Sequence, residues 1–314
     1  MKRFKLKVNP KTIKKNKASN GKELNIFDLG TLIQFETHAW QARKRLPTKI
    51  AKQLTPNAEK TLVRANKDLI DKSHLQEING IIADARNFVW TVSNPFPIKG
   101  IHFINNDIVP NAKEKLDGYI SKLKKAVNEF AKKYNKFIDE AESYLGADQL
   151  FNASDYPTKS DIRNRFSISY RFFDLAIPSA ISEEMRKEET NNFQSLMKQT
   201  QEMGVLALRE GFSEIVTHLN DTLSGKLDGE KKRLNQNSIN KISEFLNTFK
   251  QRNVFNDHEL EKIINDAILI VGDVSKDELS KDEDLTKIIN SQLSDVQKEL
   301  DKCITTYKRK VSFI

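Results

Sequence analysis

The chain of 314 residues has a single cysteine, Cys303. That excludes an intrachain disulfide and any cysteine-based zinc site. Glycine (11) and proline (8) are scarce, and a chain poor in turn-formers changes direction seldom, so few and long elements are expected. Sandwiches and doubly wound folds, which need more glycine, are disfavoured against helices. No apolar run approaches the roughly 20 residues a membrane span needs. The opening MKRFKLKVNP is charged, but no apolar stretch follows it, so no secretory signal is expected. With one thiol and no membrane segment, a cytoplasmic setting is the expectation. No G-x-S-x-G or G-x-G-x-x-G occurs. The five histidines (38, 74, 102, 218 and 258) include no i, i+4 pair of the kind that holds a metal on a helix.

The apolar fraction is 38% and the charged fraction 30%, which suits a soluble protein rich in exposed helix. The formal charge of +9 is unevenly placed. Residues 1–20 carry eight cations (Lys2, Arg3, Lys5, Lys7, Lys11, Lys14, Lys15, Lys17) and no acid, so the remainder is nearly neutral. This basic, flexible arm either solubilises the chain or contacts phosphates.

Within TLIQFETHAW, Ile33, Phe35, Thr37 and Ala39 alternate with Gln34, Glu36 and His38, the period of a strand, running into a basic turn at Arg43, Lys44 and Arg45. Thr55-Pro56 reads as the start of a helix through Leu62, Ala65 and Leu69. Asn79-Gly80 reads as a break, followed by a second helix that NPFPIKG (94–100) ends; IHFINNDIVP then looks extended. Residues 111–145 give the clearest helix: Leu116, Ile120, Leu123, Val127, Phe130, Tyr134, Phe137, Ala141 and Leu145 form one stripe. Such a helix, on the order of 50 Å long, calls for an equally long partner. The pattern that opens at Pro178 and runs through Met185, Phe193, Met203, Phe212 and Leu219 supplies one. Helices at 238–251 and 257–271, the latter capped by Asn256, and a last helix through Leu285, Leu293, Leu300 and Tyr307 complete the chain.

The expected fold is therefore mainly α: long antiparallel amphipathic helices in a bundle or coiled-coil arm, with a small N-terminal β element. The expected division is an arm (1–20), an N-terminal α(+β) domain (21–178) and a C-terminal helical domain (179–314). The stripes can pack within one chain or between two copies, as a homo-oligomer.

Several stretches invite chemistry and fall short of it. SGKLDG (224–229) has Asn220 where a phosphate loop needs its first glycine and Leu227 where it needs Ser or Thr; a helix C-terminus explains it. DVSKDELSKDED (273–284) has Glu278 where a calcium loop needs glycine, and an acidic linker capping the last helix explains it. Cys303 falls on an apolar stripe and reads as core. Glu183, Glu184, Glu188 and Glu189 favour the positive end of a helix. No catalytic residue, metal or cofactor is expected.

DYPTKSDIRNRFSISYRFFDLAIP (155–178) sets Arg163, Arg165 and Arg171 among aromatics. Ile162, Phe166, Tyr170 and Phe173 fit a helix face; Phe166, Ile168, Tyr170 and Phe172 fit a strand face with Arg165 and Arg171 opposite. Such a segment is either a core-facing element with exposed arginines or a surface where bases stack and phosphates pair.

LIQFETHAWQARKRL followed by a capped helix, and DIRNRFSISYRFFDLAIP followed by long helices, together resemble an uncharacterised family of phage and mobile-element proteins, domain-of-unknown-function family 3150. LNQNSINKISEFLNTFKQRNVFNDHELEKII fits the same pattern, and the likeness spans most of residues 30–270. Gln41-Ala42 stands where a small residue and a glycine are expected. The resemblance implies no catalytic residues. It implies a context beside MoxR-like AAA+ ATPases and von Willebrand type A proteins. The resulting expectation is a non-enzymatic accessory or adaptor protein acting with such an ATPase, its contacts drawn from Arg43, Lys44, Arg45, Arg163, Arg165 and Arg171. Nucleic-acid binding through the arm and the lysines of 113–136, Lys124, Lys132 and Lys133 among them, is the alternative; a virion structural or assembly role is a third.

Overall fold

The structure is a computed structural model that describes residues 26–54, 64–146, 149–224, 236–272 and 283–312. It is mainly helical with a small N-terminal sheet. The sheet has the order β4-β5-β1-β6, built from β4 (Ser93–Pro95), β5 (Ile101–Asn105), β1 (Gly30–His38) and β6 (Ser167–Phe173), every pair antiparallel. A two-stranded ribbon pairs β2 (Arg43–Arg45) with β3 (Asn66–Asp68).

The register gives the sheet two faces. Ile33 lies opposite His102 and Phe172, and Leu32 opposite Phe103 and Phe173. Because successive side chains point to opposite faces, Ile33, Ile104, Tyr170 and Phe172 turn toward helices α2 (Gln76–Val92) and α3 (Val109–Leu145), meeting Val89, Val92, Ala112 and Leu116. Leu32, Phe103 and Phe173 turn the other way, to Phe193, Leu196 and Met197 of the helix α4 (Glu183–Ser224) and to Val254 and Phe255. Gly30 opens β1 because a Cβ there would lie 2.5 Å from both the Ile104 carbonyl oxygen and the Phe103 ring.

The segment 166–172 is thus a strand, and only Phe166 precedes it. Arg43-Lys44-Arg45 is a strand too, not a turn. The turn sits just before it: Ala42 adopts φ 48°, the left-handed conformation that a glycine would take without strain, and its side chain is buried. A short helix, α1 (Thr48–Leu54), precedes the expected Thr55-Pro56 start, which lies outside the described residues. Ala65 and Leu69 are not helical; they flank β3. Asn79-Gly80 does not interrupt α2. Gly80 costs about 1 kcal/mol relative to alanine, and the burial of Ile78, Ile82, Ala85 and Val89 outweighs it.

Helix α3 has the expected stripe, with Leu116, Leu123, Val127, Phe130, Tyr134, Phe137 and Ala141 buried. Its partner is not the second long helix. The stripe is covered by α2, by Leu75, and by Tyr156, Ile162, Phe166 and Ile168 from the segment leading into β6. Helix α4 packs first on the sheet and then along α5 (Gln236–Arg252) and α7 (Glu283–Ser312), with α6 (His258–Gly272) closing the ring against α5 and α7. The result is a four-helix bundle. Bonds from Glu210 to Lys308 (2.7 Å), Thr217 to Gln297 (2.9 Å) and Asn220 to the Leu293 carbonyl (3.2 Å) rise along α4 as they fall along α7, so the pair is antiparallel. Serving the sheet and then several helices, α4 spreads its apolar residues beyond a single stripe. Ser182 caps α4 by accepting from the Met185 amide. The cap of α6 is Asp257, whose Oδ1 accepts from the Leu260 amide at 3.1 Å, and not Asn256.

Sheet and bundle meet at the end of α5. Asn94, buried, donates to the Arg252 carbonyl (2.9 Å), and Asn105 to that of Gln251 (3.3 Å), so two side chains from the strands satisfy carbonyls that the helix leaves open. Asn94 also accepts from Arg252 Nε at 3.2 Å. Burial, and secondly the charge of Arg252, hold His102 below its ordinary pKa. At Gly204 the fit is close: a Cβ would sit 2.8 Å from the Phe255 ring.

Candidate anion-binding surface

Helix α3 buries one side and offers the other to water. Between residues 122 and 136 and in the neighbouring segment 159–165 the sequence places nine cations (Lys122, Lys124, Lys125, Lys132, Lys133, Lys136, Lys159, Arg163, Arg165) against two acids, Glu129 and Asp161. All nine cations are exposed. The two stretches are brought together by the 3-10 turn Ile162–Arg165, anchored where Ile162 enters the core and Phe166 packs edge-on against Phe130, 5.9 Å between ring centres. Arg163 reaches across to Asn128 Oδ1 (3.3 Å) and back to the Lys159 carbonyl (3.2 Å). Since Lys124 and Lys132 lie one turn either side of Asn128, Arg163 joins their row. The arginines of this turn therefore face solvent while Ile162 and Phe166 hold it in place.

Lys132 pairs with Glu129 at 2.6 Å and holds that carboxyl below its usual range. Lys136 pairs with Glu140 at 3.6 Å, and Lys122 lies over the Tyr119 ring. Lys124, Lys125, Lys133, Lys159 and Arg165 make no ion pair with a described residue. Lys133 belongs to the other flank of α3, one turn from Phe137 and two from Glu140, which meets His74. Arg171 is separate again: on β6 it lies opposite Gln34, on the sheet face away from Tyr170 and Phe172.

The ribbon divides the remaining three. Arg43 donates to Asp68 (3.0 Å), whose carboxyl is held low by Lys72 first and Arg43 second. Lys44 lies 3.5 Å from Asp155, a carboxyl lowered chiefly by Lys67 at 2.7 Å and further by Lys44. Arg45 is exposed and makes no ion pair with a described residue. Two cavities flank the ribbon. One, of about 370 Å³, is lined by Asp68, Asp71, Glu140, Phe137 and Tyr144 among others. Its acids are engaged by Arg43 and Lys72, by the Ser73 amide, and by His74 and Lys136 respectively. The other, of about 360 Å³, is lined by Lys44, Arg45, Lys67, Pro47, Phe151 and Asp155 among others. Lys67 and Asp155 carried no sequence signal, since the bonds that gather them span loops far apart in the chain.

Among the described residues no three His, Cys, Asp or Glu side chains are grouped to hold a metal ion. Burial pushes the Cys303 thiol up to about 12, a resting thiol rather than a thiolate. His218 is exposed. The phosphate-loop and calcium-loop comparisons at 225–229 and 273–282, and the arm at 1–20, lie outside the described residues. No described helix is long and apolar enough to cross a membrane.

A family model described as "Protein of unknown function (DUF3150)" matches residues 28–264, well over half of the chain. The chain belongs to that family. The DUF3150 match takes in the sheet, the ribbon, α3 and its cationic face, and ends within α6, before α7 completes the bundle. No curated protein and no solved structure matches the chain.

Proposed function

We propose that this DUF3150 protein is a non-enzymatic binding scaffold whose α3 face contacts the phosphates of a nucleic acid. The reading rests on one observation: Lys124 and Lys125 on the helix, and Lys159 and Arg165 in the adjoining segment that Arg163 ties to it, make no ion pair with a described residue. A surface field of one sign attracts a polyanion. The eight cations of residues 1–20 would add to the same attraction. Fluorescence anisotropy with labelled single- and double-stranded DNA at 50 and 200 mM salt, values chosen to span a steep part of the salt dependence, is the test. Lys124→Glu, Lys125→Glu and Arg163→Glu combined should weaken binding by more than about tenfold and lower the salt slope by about 2–3. An unchanged slope would remove α3 from the reading.

A protein partner is the second reading, favoured by exposed apolar side chains on the bundle: Leu269 of α6 is 72% exposed and Ile288 of α7 is 54% exposed. The MoxR-like AAA+ ATPase that the family resemblance implies is the partner to try. Co-purification is expected with the unaltered chain and lost in Leu269→Glu with Ile288→Glu; capture by both would count against these helices as the contact.

A further inference from the structure

The second cavity beside the ribbon is chemically unlike the first. Its lining combines three cations from the two strands, Lys44, Arg45 and Lys67, with the apolar side chains of Leu46, Pro47, Ile50 and Phe151. Among the described lining residues the one acid is Asp155, and two lysines already share it: Lys67 Nζ at 2.7 Å, a side chain only 8% exposed that also donates to the Leu150 carbonyl, and Lys44 Nζ at 3.5 Å. Among the described lining residues positive charge is therefore in excess, and Arg45 makes no ion pair with a described residue. The cavity's rim at 149–151 is held firm. The Leu150 and Phe151 amides both donate to the Leu145 carbonyl (2.9 and 3.2 Å), and Gln149 is fixed at φ 56°. Phe151 in turn leans on Tyr156, 5.4 Å between ring centres. A volume of about 360 Å³ falls within the range of small-molecule sites. Cations beside aromatic and aliphatic side chains in one cavity are what a planar ring bearing a phosphate requires: the guanidinium and ammonium groups pair with the oxygens, and the apolar side chains cover the ring.

The geometry points to a nucleotide-type ligand, an anionic phosphate carrying a planar apolar ring, bound between β2–β3 and residues 149–153. This does not rest on the α3 reading, because none of the residues of that face lines the cavity.

Isothermal titration of the full chain with ADP, pyrophosphate and adenosine separates the two halves of the proposal. ADP should bind, and Arg45→Glu should weaken it by about tenfold or more, the equivalent of one lost charge-assisted contact. Gln149→Glu, which sets a negative charge on the rim at 149–151, should act in the same direction. Both positions are exposed, so circular dichroism and thermal melting should match the unaltered protein. Pyrophosphate and adenosine should each bind more weakly than ADP by about tenfold. No ADP heat up to millimolar concentration, or ADP binding unchanged in both variants, would overturn the site. Pyrophosphate equal to ADP would overturn the apolar cover of the ring, and adenosine equal to ADP would overturn the anion pairing. The α3 triple variant should bind ADP as the unaltered chain does, so failure of nucleic-acid binding and failure of this site are distinguishable.

Discussion

Asp257→Ala should lower the stability of the chain by about 3–5 kcal/mol, read as a shift of the urea midpoint. Arg209 lies inside the bundle, its side chain 6% exposed, and Asp257 is 3% exposed. The pair is bidentate: Arg209 Nε donates to Asp257 Oδ2 at 2.7 Å and Nη2 to Oδ1 at 2.9 Å. Nη1 donates to the Cys303 carbonyl at 3.0 Å, and the guanidinium lies over the Tyr307 ring at 4.9 Å. Taking away the carboxylate strands a guanidinium in the bundle and also removes the cap of α6, worth about 1 kcal/mol. Glu259, at 3.0 Å from Nη2 but 64% exposed, offsets only part of this. Arg209→Met with Asp257→Asn should recover most of the loss, because no charge stays buried and asparagine still caps the helix. A loss below 1 kcal/mol in the single variant would mean that water or Glu259 satisfies Arg209.

Phe103→Ala should cost a similar amount, about 3–5 kcal/mol. The side chain is fully buried. It lies opposite Leu32 on β1 and Asn94 on β4, and its ring stacks on Phe255 with centres 5.7 Å apart. Its ring is also what closes off the space beside Gly30. A cavity there would be lined by strand, loop and α4 together, elements fixed by separate contacts and therefore slow to collapse into the space. Trp90 is the comparison. At 54% exposed on α2, its replacement by alanine should change stability by no more than about 0.5 kcal/mol. Equal effects at the two positions would contradict the core described for the sheet.

The long helices could be read from sequence because their periodicity is local. Leu116 to Leu145 and Leu285 to Tyr307 repeat at threes and fours whatever lies opposite. What lies opposite is not local. The expected pairing of α3 with α4 failed because α3 is covered by α2 and by the loop from Tyr156 to Phe166, whose apolar residues have no regular spacing. Asn79-Gly80 misled because propensity weighs about 1 kcal/mol and the burial of Ile78, Ile82 and Val89 weighs more. At 166–172 the helical and strand periods coincided on Phe166 and Tyr170, and hydrogen bonding to β1 decided between them. The site shows the same division. Arg163, Lys124 and Lys132 were candidates by type, and the contact at Asn128 unites them; Arg171 and Lys133 share the type but face elsewhere. The cavity at Lys67 and Asp155 had no local signature, and neither had the buried Arg209, whose partners Asp257 and Cys303 lie 48 and 94 residues away in the chain.

The two asparagines that close the end of α5 are separated from their acceptors by 158 and 146 residues. A ribosome adding roughly 5–20 residues per second finishes the strands some tens of seconds or less before the carbonyls they serve exist. Until then Leu32 and Phe103 have only half of their surroundings, and the nascent sheet is an apolar surface in search of cover. N-terminal fragments that stop short of residue 236 are therefore expected to aggregate more readily than the full chain, read by light scattering at equal concentration.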